Sequence, residues 1–129
     1  MKPSKQISFG TSGHRGIIGK TFTLEHTHAI SYAIAQHVRS YDTAPIVVVG
    51  YDSRLGNSPQ CLDGSYTKEV VSTLIDNGVS VWFCDEPTPT PCISWMIDHY
   101  DLSGGIILTA SHNPPQYNGI KFNLQDGAP

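Results

Sequence analysis

The sequence predicts an α/β fold: a three-layer α/β/α sandwich around a mixed, mainly parallel sheet. Three observations carry this. Ile46-Val47-Val48-Val49-Gly50 is an unbroken apolar run, the pattern of a strand buried on both faces. Strand-like runs alternate with stretches of helical periodicity, the order of βαβ units. The chain has 129 residues, 39% of them hydrophobic and 15% charged, which suits one domain (1–129) with a modest core.

Each element has its own signal. The polar start, Lys2 to Gln6, predicts no regular structure. Ile7-Ser8-Phe9 alternates and reads as a short first strand. In Gly10-Thr11-Ser12-Gly13-His14-Arg15-Gly16-Ile17-Ile18-Gly19, glycine recurs at every third position. Such a backbone reads as a loop able to turn several N–H groups toward one point. A flexible surface loop is the plain alternative, and Arg15 tips the reading toward anion binding.

Thr23 can cap a helix over 24–41, with Glu25 in the favourable first turn. Leu24, Ile30, Ile34, Val38 and Tyr41, broadened by Ala33, form its apolar stripe. His26, His28 and His37 read as solvated or edge histidines, with no carboxylate partner and no metal-pair spacing. After the 46–50 strand, Asp52 and Arg54 lie where open α/β sheets place ligand sites. A local Asp–Arg pair that stabilises the loop is the favoured reading.

Ser58-Pro59 is a cap followed by a first-turn proline, which predicts a helix over 58–76. Leu62, Tyr66, Val70 and Leu74 share a face, with Val71 and Ile75 beside it. Asn77-Gly78 supplies a left-handed stop. A strand follows over 79–84. The alternating prolines at 87, 89 and 91 read as a stiff connection. Thr90-Pro91 then repeats the cap-plus-proline start of a short helix to 99, with Ile93, Met96, Ile97 and Tyr100 on one face. Strands over 105–108 and 117–123 close the order, the last one read as an antiparallel member by its short connection.

The loop between those last strands carries the chemistry. Ser111 heads Ser111-His112-Asn113-Pro114-Pro115 at the end of a buried strand, and the prolines stiffen it. His112 adds a titratable group. On the returning strand, Lys121 alternates with Ile120 and Phe122, so it can leave the core and face the loop. With Arg15, these parts suit a phosphorylated serine, which carries about −1.5 to −2 charge and needs charge-assisted partners. The same residues also favour a simple turn. A serine hydrolase fits poorly, because Ser111 and His112 are sequence neighbours and no G-x-S-x-G elbow is present.

Thr109-Ala110-Ser111-His112-Asn113-Pro114-Pro115, with Asn118-Gly119-Ile120-Lys121-Phe122-Asn123, resembles the active-site signature of the α-D-phosphohexomutases. Phe9-Gly10-Thr11-Ser12-Gly13-His14-Arg15-Gly16 resembles that family's N-terminal motif, in the form typical of bacterial phosphoglucomutases. Asp52-Ser53-Arg54 and Pro87-Thr88-Pro89 fall in the family's order.

The resemblance implies a four-domain enzyme with this chain as its first domain. Ser111 would carry the phosphoryl group that passes between glucose 1-phosphate and glucose 6-phosphate through a bisphosphate sugar. Lys121 would be a general acid/base and His112 a polar or proton-handling neighbour. Arg15, Thr11, Ser12 and Asn113 would hold phosphate. Mg2+ would bind Ser111 through its phosphate, with its other ligands on an Asp-rich loop of the second domain. Glucose 1,6-bisphosphate would be the intermediate and activator. The isolated 129-residue chain is expected to be inactive. A phosphomannomutase, a phosphoglucosamine mutase and a non-catalytic sugar-phosphate binding module are the alternatives.

Other classes are disfavoured. A net charge of −3 gives no global basic field for nucleic acid or anionic membrane. No apolar segment follows Lys2 and Lys5 to make a signal peptide, and none approaches a membrane span. Cys61, Cys84 and Cys92 form no C-x-x-C pair and read as free thiols of a cytoplasmic protein. Hexose phosphates and the remaining domains of the same polypeptide are the expected partners. Met1 reads as a natural start, and the loop-like end at 125–129 as either a true terminus or a cut between domains.

Overall fold

A computed structural model describes residues 7, 13–58 and 65–124. The elements run β1 (His14–Ile17), α1 (Leu24–Tyr41), β2 (Ile46–Tyr51), α2 (Tyr66–Asp76), β3 (Ser80–Phe83), α3 (Thr90–His99), β4 (Gly104–Leu108) and β5 (Tyr117–Asn123). These strands form one sheet in the order β1-β5-β4-β2-β3. β2 is parallel to β3 and β4, while β5 is antiparallel to both β4 and β1. Only β5 runs against the rest, as the antiparallel member expected.

The layers follow from the strand order. The chain crosses the sheet in one direction from β1 to β2 and from β2 to β3, then returns from β3 to β4. Right-handed crossovers therefore put α1 and α2 on one face and α3 on the other. Ile30, Ile34 and Val38 of α1, with Val70 and Leu74 of α2, pack against Val47, Val49, Ile106 and Leu108. Ile93 and Ile97 of α3 pack against Val48 and Ile107. Alternate residues of β2 and β4 thus feed opposite cores, so β2 must be apolar almost throughout.

Several local expectations change. β1 lies inside the glycine-rich stretch that reads as a loop. Ser8 and Phe9 fall outside the described residues, and Ile7 packs against the larger core without being in a strand. The glycines serve close approach here. A Cβ on Gly16 would sit 2.5 Å from the Thr21 carbonyl oxygen. A side chain there would force the two backbones apart.

The second helix begins at Tyr66, where the Lys68 N–H donates to Ser65 Oγ at 3.3 Å. It is not capped by Ser58; residues 59–64, including Pro59 and Leu62, lie outside the described residues. Gly64 in the sequence is a poor helix former directly before a good cap, a signal that the Ser58-Pro59 pair masks. Ile75 is 57% exposed and so is not core. Gly78 does take the left-handed stop, at φ +83°. In the third helix, Thr90 is the first helical residue and Pro89 the uncapped position before it. Tyr100 ends that helix and is largely exposed.

In α1, Ala35 is buried where Ala33 was expected, and Leu24 and Tyr41 are exposed. His26 is buried, not solvated. Its N–H donates to Thr23 Oγ1, and its Nδ1 accepts the Thr23 N–H at 3.1 Å. This is a capping box with histidine in the usual Glu or Gln place. His28 does have a carboxylate neighbour: its Nδ1 lies 3.2 Å from Glu69 Oε2 on α2. The reading along one helix missed a partner that comes from another.

Cys84 and Cys92 are free, and Cys61 lies outside the described residues. Burial chiefly raises the Cys84 thiol above its ordinary value, whereas Cys92 is exposed. Only the thiolate reacts. Iodoacetamide at pH 7.5 should therefore modify Cys92 about tenfold faster than Cys84, as read by peptide mapping. Equal rates would contradict the burial of Cys84.

Candidate active site

The site is set by parallel register. Tyr51 is paired with Leu108 at the ends of β2 and β4, and the Asp52 N–H donates to the Leu108 carbonyl at 3.1 Å. The two chains then leave the sheet side by side at its C-terminal edge, where open α/β sheets bind ligands. One contributes 52–57 and the other 109–116.

Ser111 has φ +54°. A non-glycine residue in that region costs on the order of 1–3 kcal/mol and persists only where its surroundings fix it. Those surroundings can be followed atom by atom. The Ser111 N–H donates to Thr109 Oγ1 at 2.9 Å. Thr109 Oγ1 in turn donates to Asp52 Oδ2 at 2.5 Å. Asp52 Oδ1 accepts from the Arg54 N–H and from Asn57 Nδ2, both at 3.1 Å.

Arg54 holds the other side. Its Nη2 donates to the carbonyls of Ser111 at 2.7 Å and Asn113 at 2.8 Å. Its Nη1 donates to the carbonyls of Pro114 and Tyr117, each at 3.0 Å. Its Nε lies 3.4 Å from Asp52 Oδ2, close enough for charge attraction. That atom makes no aligned hydrogen bond, so the pair is an ion pair without directional bonding. The expected local Asp–Arg pair exists, but most of what both residues do is to hold the serine loop.

Asn57 Nδ2 also donates to the Leu108 carbonyl at 3.0 Å, and Asn118 Nδ2 donates to Asn57 Oδ1 at 2.7 Å. Both asparagines are buried. The loop is therefore satisfied almost throughout by protein groups, while Ser111 is exposed and its hydroxyl has no partner among the described residues. It lines a cleft of about 700 Å³ of mixed character, with Asp52, Ser53, Arg54, Asn113 and Gln116 beside Leu55 and Pro115.

Among the expected site residues, Arg15 joins this group. Its Nη1 donates to Asn113 Oδ1 at 3.1 Å. It stands opposite Gly119 in the ladder, and a Cβ on Gly119 would sit 2.8 Å from Arg15 Cγ. The arginine thus lies across a bare glycine, and its Nε is buried without a partner among the described residues. Lys121 is half-buried opposite Ile107, two residues further along β5 on the same face as Gly119. It does not line the cleft at Ser111. His112 is exposed and makes no hydrogen bond among the described residues. Thr11 and Ser12 lie outside the described residues.

The same residues bear on metal binding. No group of three or more His, Cys, Asp or Glu residues able to hold an ion occurs among the described residues. Asp52, the carboxylate of the cleft, already accepts from Thr109, Arg54 and Asn57. The described residues do not make up a Mg2+ site by themselves.

Comparison with known proteins gives the family. The family model described as phosphoglucomutase/phosphomannomutase, alpha/beta/alpha domain I, matches residues 6–129. A phosphoglucomutase/phosphomannomutase of Thermococcus kodakarensis is 39% identical over 123 residues, spanning 92% of this chain and 25% of the relative. A phosphoglucomutase of Staphylococcus haemolyticus is 31% identical over 129 residues, spanning 95% and 22%. A crystal structure from Thermus thermophilus superposes with a TM-score of 0.83 at 37% identity, covering 95% of this chain and 26% of that one. The chain thus spans about a quarter of the length of these relatives. It belongs to the phosphoglucomutase/phosphomannomutase family, as that family's α/β/α domain I.

Proposed function

We propose that this chain is the phosphoserine-bearing first domain of a phosphohexomutase that interconverts glucose 1-phosphate and glucose 6-phosphate. The observation that carries the reading is Ser111: an exposed hydroxyl, free of protein partners among the described residues, on a backbone turn bonded from both sides. In the first step the bond from phosphorus to Ser111 Oγ breaks. A bond from phosphorus to a free sugar hydroxyl forms, the hydroxyl proton goes to a base, and the serine oxygen takes up a proton. The bisphosphate sugar, glucose 1,6-bisphosphate, then turns and returns its other phosphoryl group to Ser111. Such transfers depend mainly on positioning and charge stabilisation.

Arg15, with three terminal N–H groups free of protein partners among the described residues and its hold on Asn113, orients the phosphate. Lys121 is the candidate acid–base group of this chain, and His112 an exposed polar neighbour of the carrier. The phosphate on Ser111 would be this chain's contribution to a Mg2+ site whose other ligands lie elsewhere in the longer polypeptide. Mannose phosphates are a second substrate class, favoured by the double name of the Thermococcus relative.

The test is intact-mass analysis of the polypeptide encoded by the whole reading frame after incubation with glucose 1,6-bisphosphate. A gain of about 80 Da, one phosphoryl group, should appear and be absent in Ser111→Ala. The variant should also lose mutase turnover by about 10⁴-fold or more. A reading frame that closes at Pro129, or a wild-type protein that never labels, would leave a sugar-phosphate binding module instead.

A further inference from the structure

We infer that Arg54 is a positioning residue for phosphoryl transfer: it fixes the Ser111 turn and is not itself a phosphate ligand. The inference rests on the reading of Ser111 as the phosphoryl carrier. A guanidinium has five N–H donors in one plane. In Arg54 the four terminal ones are matched by four loop carbonyls, those of Ser111, Asn113, Pro114 and Tyr117. The fifth, at Nε, faces Asp52 Oδ2. That last N–H makes no aligned hydrogen bond, but it is buried against a carboxylate and is not presented to a substrate phosphate. The side chain is only 12% exposed, so it is held in place as firmly as it holds the loop.

Arg15 has the opposite profile. One of its terminal N–H groups meets Asn113 Oδ1, and the other three have no protein partner among the described residues. Two arginines beside one loop therefore divide the work, with Arg15 available to ligand and Arg54 committed to the frame. Thr109 closes the frame from the other side by linking Asp52 to the Ser111 N–H. The serine oxygen must stand in line with phosphorus and the acceptor oxygen, and misplacement by about 1 Å can cost about a hundredfold in rate. Lysine keeps the charge but has three donors on a single atom and no planar fork.

The kinetic experiment compares Arg54→Lys and Arg54→Ala in the polypeptide from the whole reading frame. Arg54→Lys should lower kcat about a hundredfold with KM within about threefold. Added guanidinium should restore part of the kcat of Arg54→Ala, because a free guanidinium can reoccupy the vacated site. A kcat within about threefold of wild type in Arg54→Lys, or a loss confined to KM, overturns the inference. So does a lowered melting temperature with unchanged kcat, which marks a merely structural role.

If Arg54→Ala fails to fold, Thr109→Val tests the same frame and should lower kcat while leaving KM unchanged. If the wild type neither labels nor turns over, the reading of Ser111 fails, and amide exchange on the 129-residue chain decides the rest. Exchange at Ser111, Asn113 and Tyr117 should then be about tenfold faster in Arg54→Lys. Unchanged exchange overturns the inference.

Discussion

Gly13→Ala is expected to detach β1 from the sheet. Gly13 sits at φ +75°, and a Cβ there would lie 2.0 Å from the Ile120 carbonyl oxygen and 2.9 Å from Lys121 Cα. Both contacts are backbone atoms of β5, so no rotamer change can relieve them. The left-handed conformation adds on the order of 1 kcal/mol for alanine, and the overlap brings the total to about 3–5 kcal/mol.

The way this strain is released follows from topology. β1 is an edge strand whose ladder partner is β5. Letting it go costs less than distorting β4 and β2, which sit inside the sheet. The variant should therefore keep its central strands and lose protection at His14–Ile17. His14 would leave the Thr21 carbonyl that its Nε2 meets at 2.8 Å, and Arg15 would leave Asn113. Hydrogen exchange with mass spectrometry should show fast exchange confined to β1 and the adjoining face of β5. The melting temperature should fall by about 10 °C or more. A variant melting within about 2 °C of wild type would disprove the close approach.

Asp52→Asn is expected to loosen the serine loop without touching it directly. The carboxylate accepts from three donors and faces Arg54 Nε. An asparagine can turn its oxygen toward Arg54 N–H and Asn57, which points its amide group at Thr109 and Arg54. The opposite flip points the amide at the two N–H donors. The first orientation leaves one contact, at Arg54 Nε, donor against donor, because the Thr109 hydroxyl can accept from the amide; the second leaves two. The Arg54 charge also loses its counter-ion while remaining mostly buried. Together these should cost about 2–3 kcal/mol. Urea unfolding should shift its midpoint with an unchanged m-value, and labelling at Ser111 should slow at least as much as in Thr109→Val. An unshifted midpoint would mean that the network carries no stability.

The two loops of the site were legible in the sequence to different degrees. β2 was plain because a strand buried on both faces must be apolar at every position, and Ile46-Val47-Val48-Val49 is. Ser111 was legible because its motif and the strand before it stand together in sequence. The role of Arg54 was not legible, since its four loop partners lie 57 to 63 residues away. Nothing in Asp52-Ser53-Arg54 alone says that Tyr51 will pair with Leu108. β1 was missed for a different reason. His14-Arg15-Gly16 has no β-branched run, and the strand forms because Gly13 and Gly16 let neighbouring backbone come close. His26 misled because a polar residue on a helix reads as solvated unless its Thr23 partner is considered as a cap.

The four carbonyls gathered on Arg54 also orient the loop's peptide groups. Among the described residues no peptide bond is cis, so each carbonyl turned inward sends the opposite end of its peptide unit outward. A peptide unit carries a dipole of about 3.5 D. With four negative ends gathered on one guanidinium, the charge of Arg54 is met by the loop's own backbone. Pro114 and Pro115 follow two of those carbonyls and have no N–H, so the outward side carries no unmatched donor at either position. A cation at the root of the serine loop is thereby neutralised by peptide dipoles and by Asp52, with no bound anion needed to hold it.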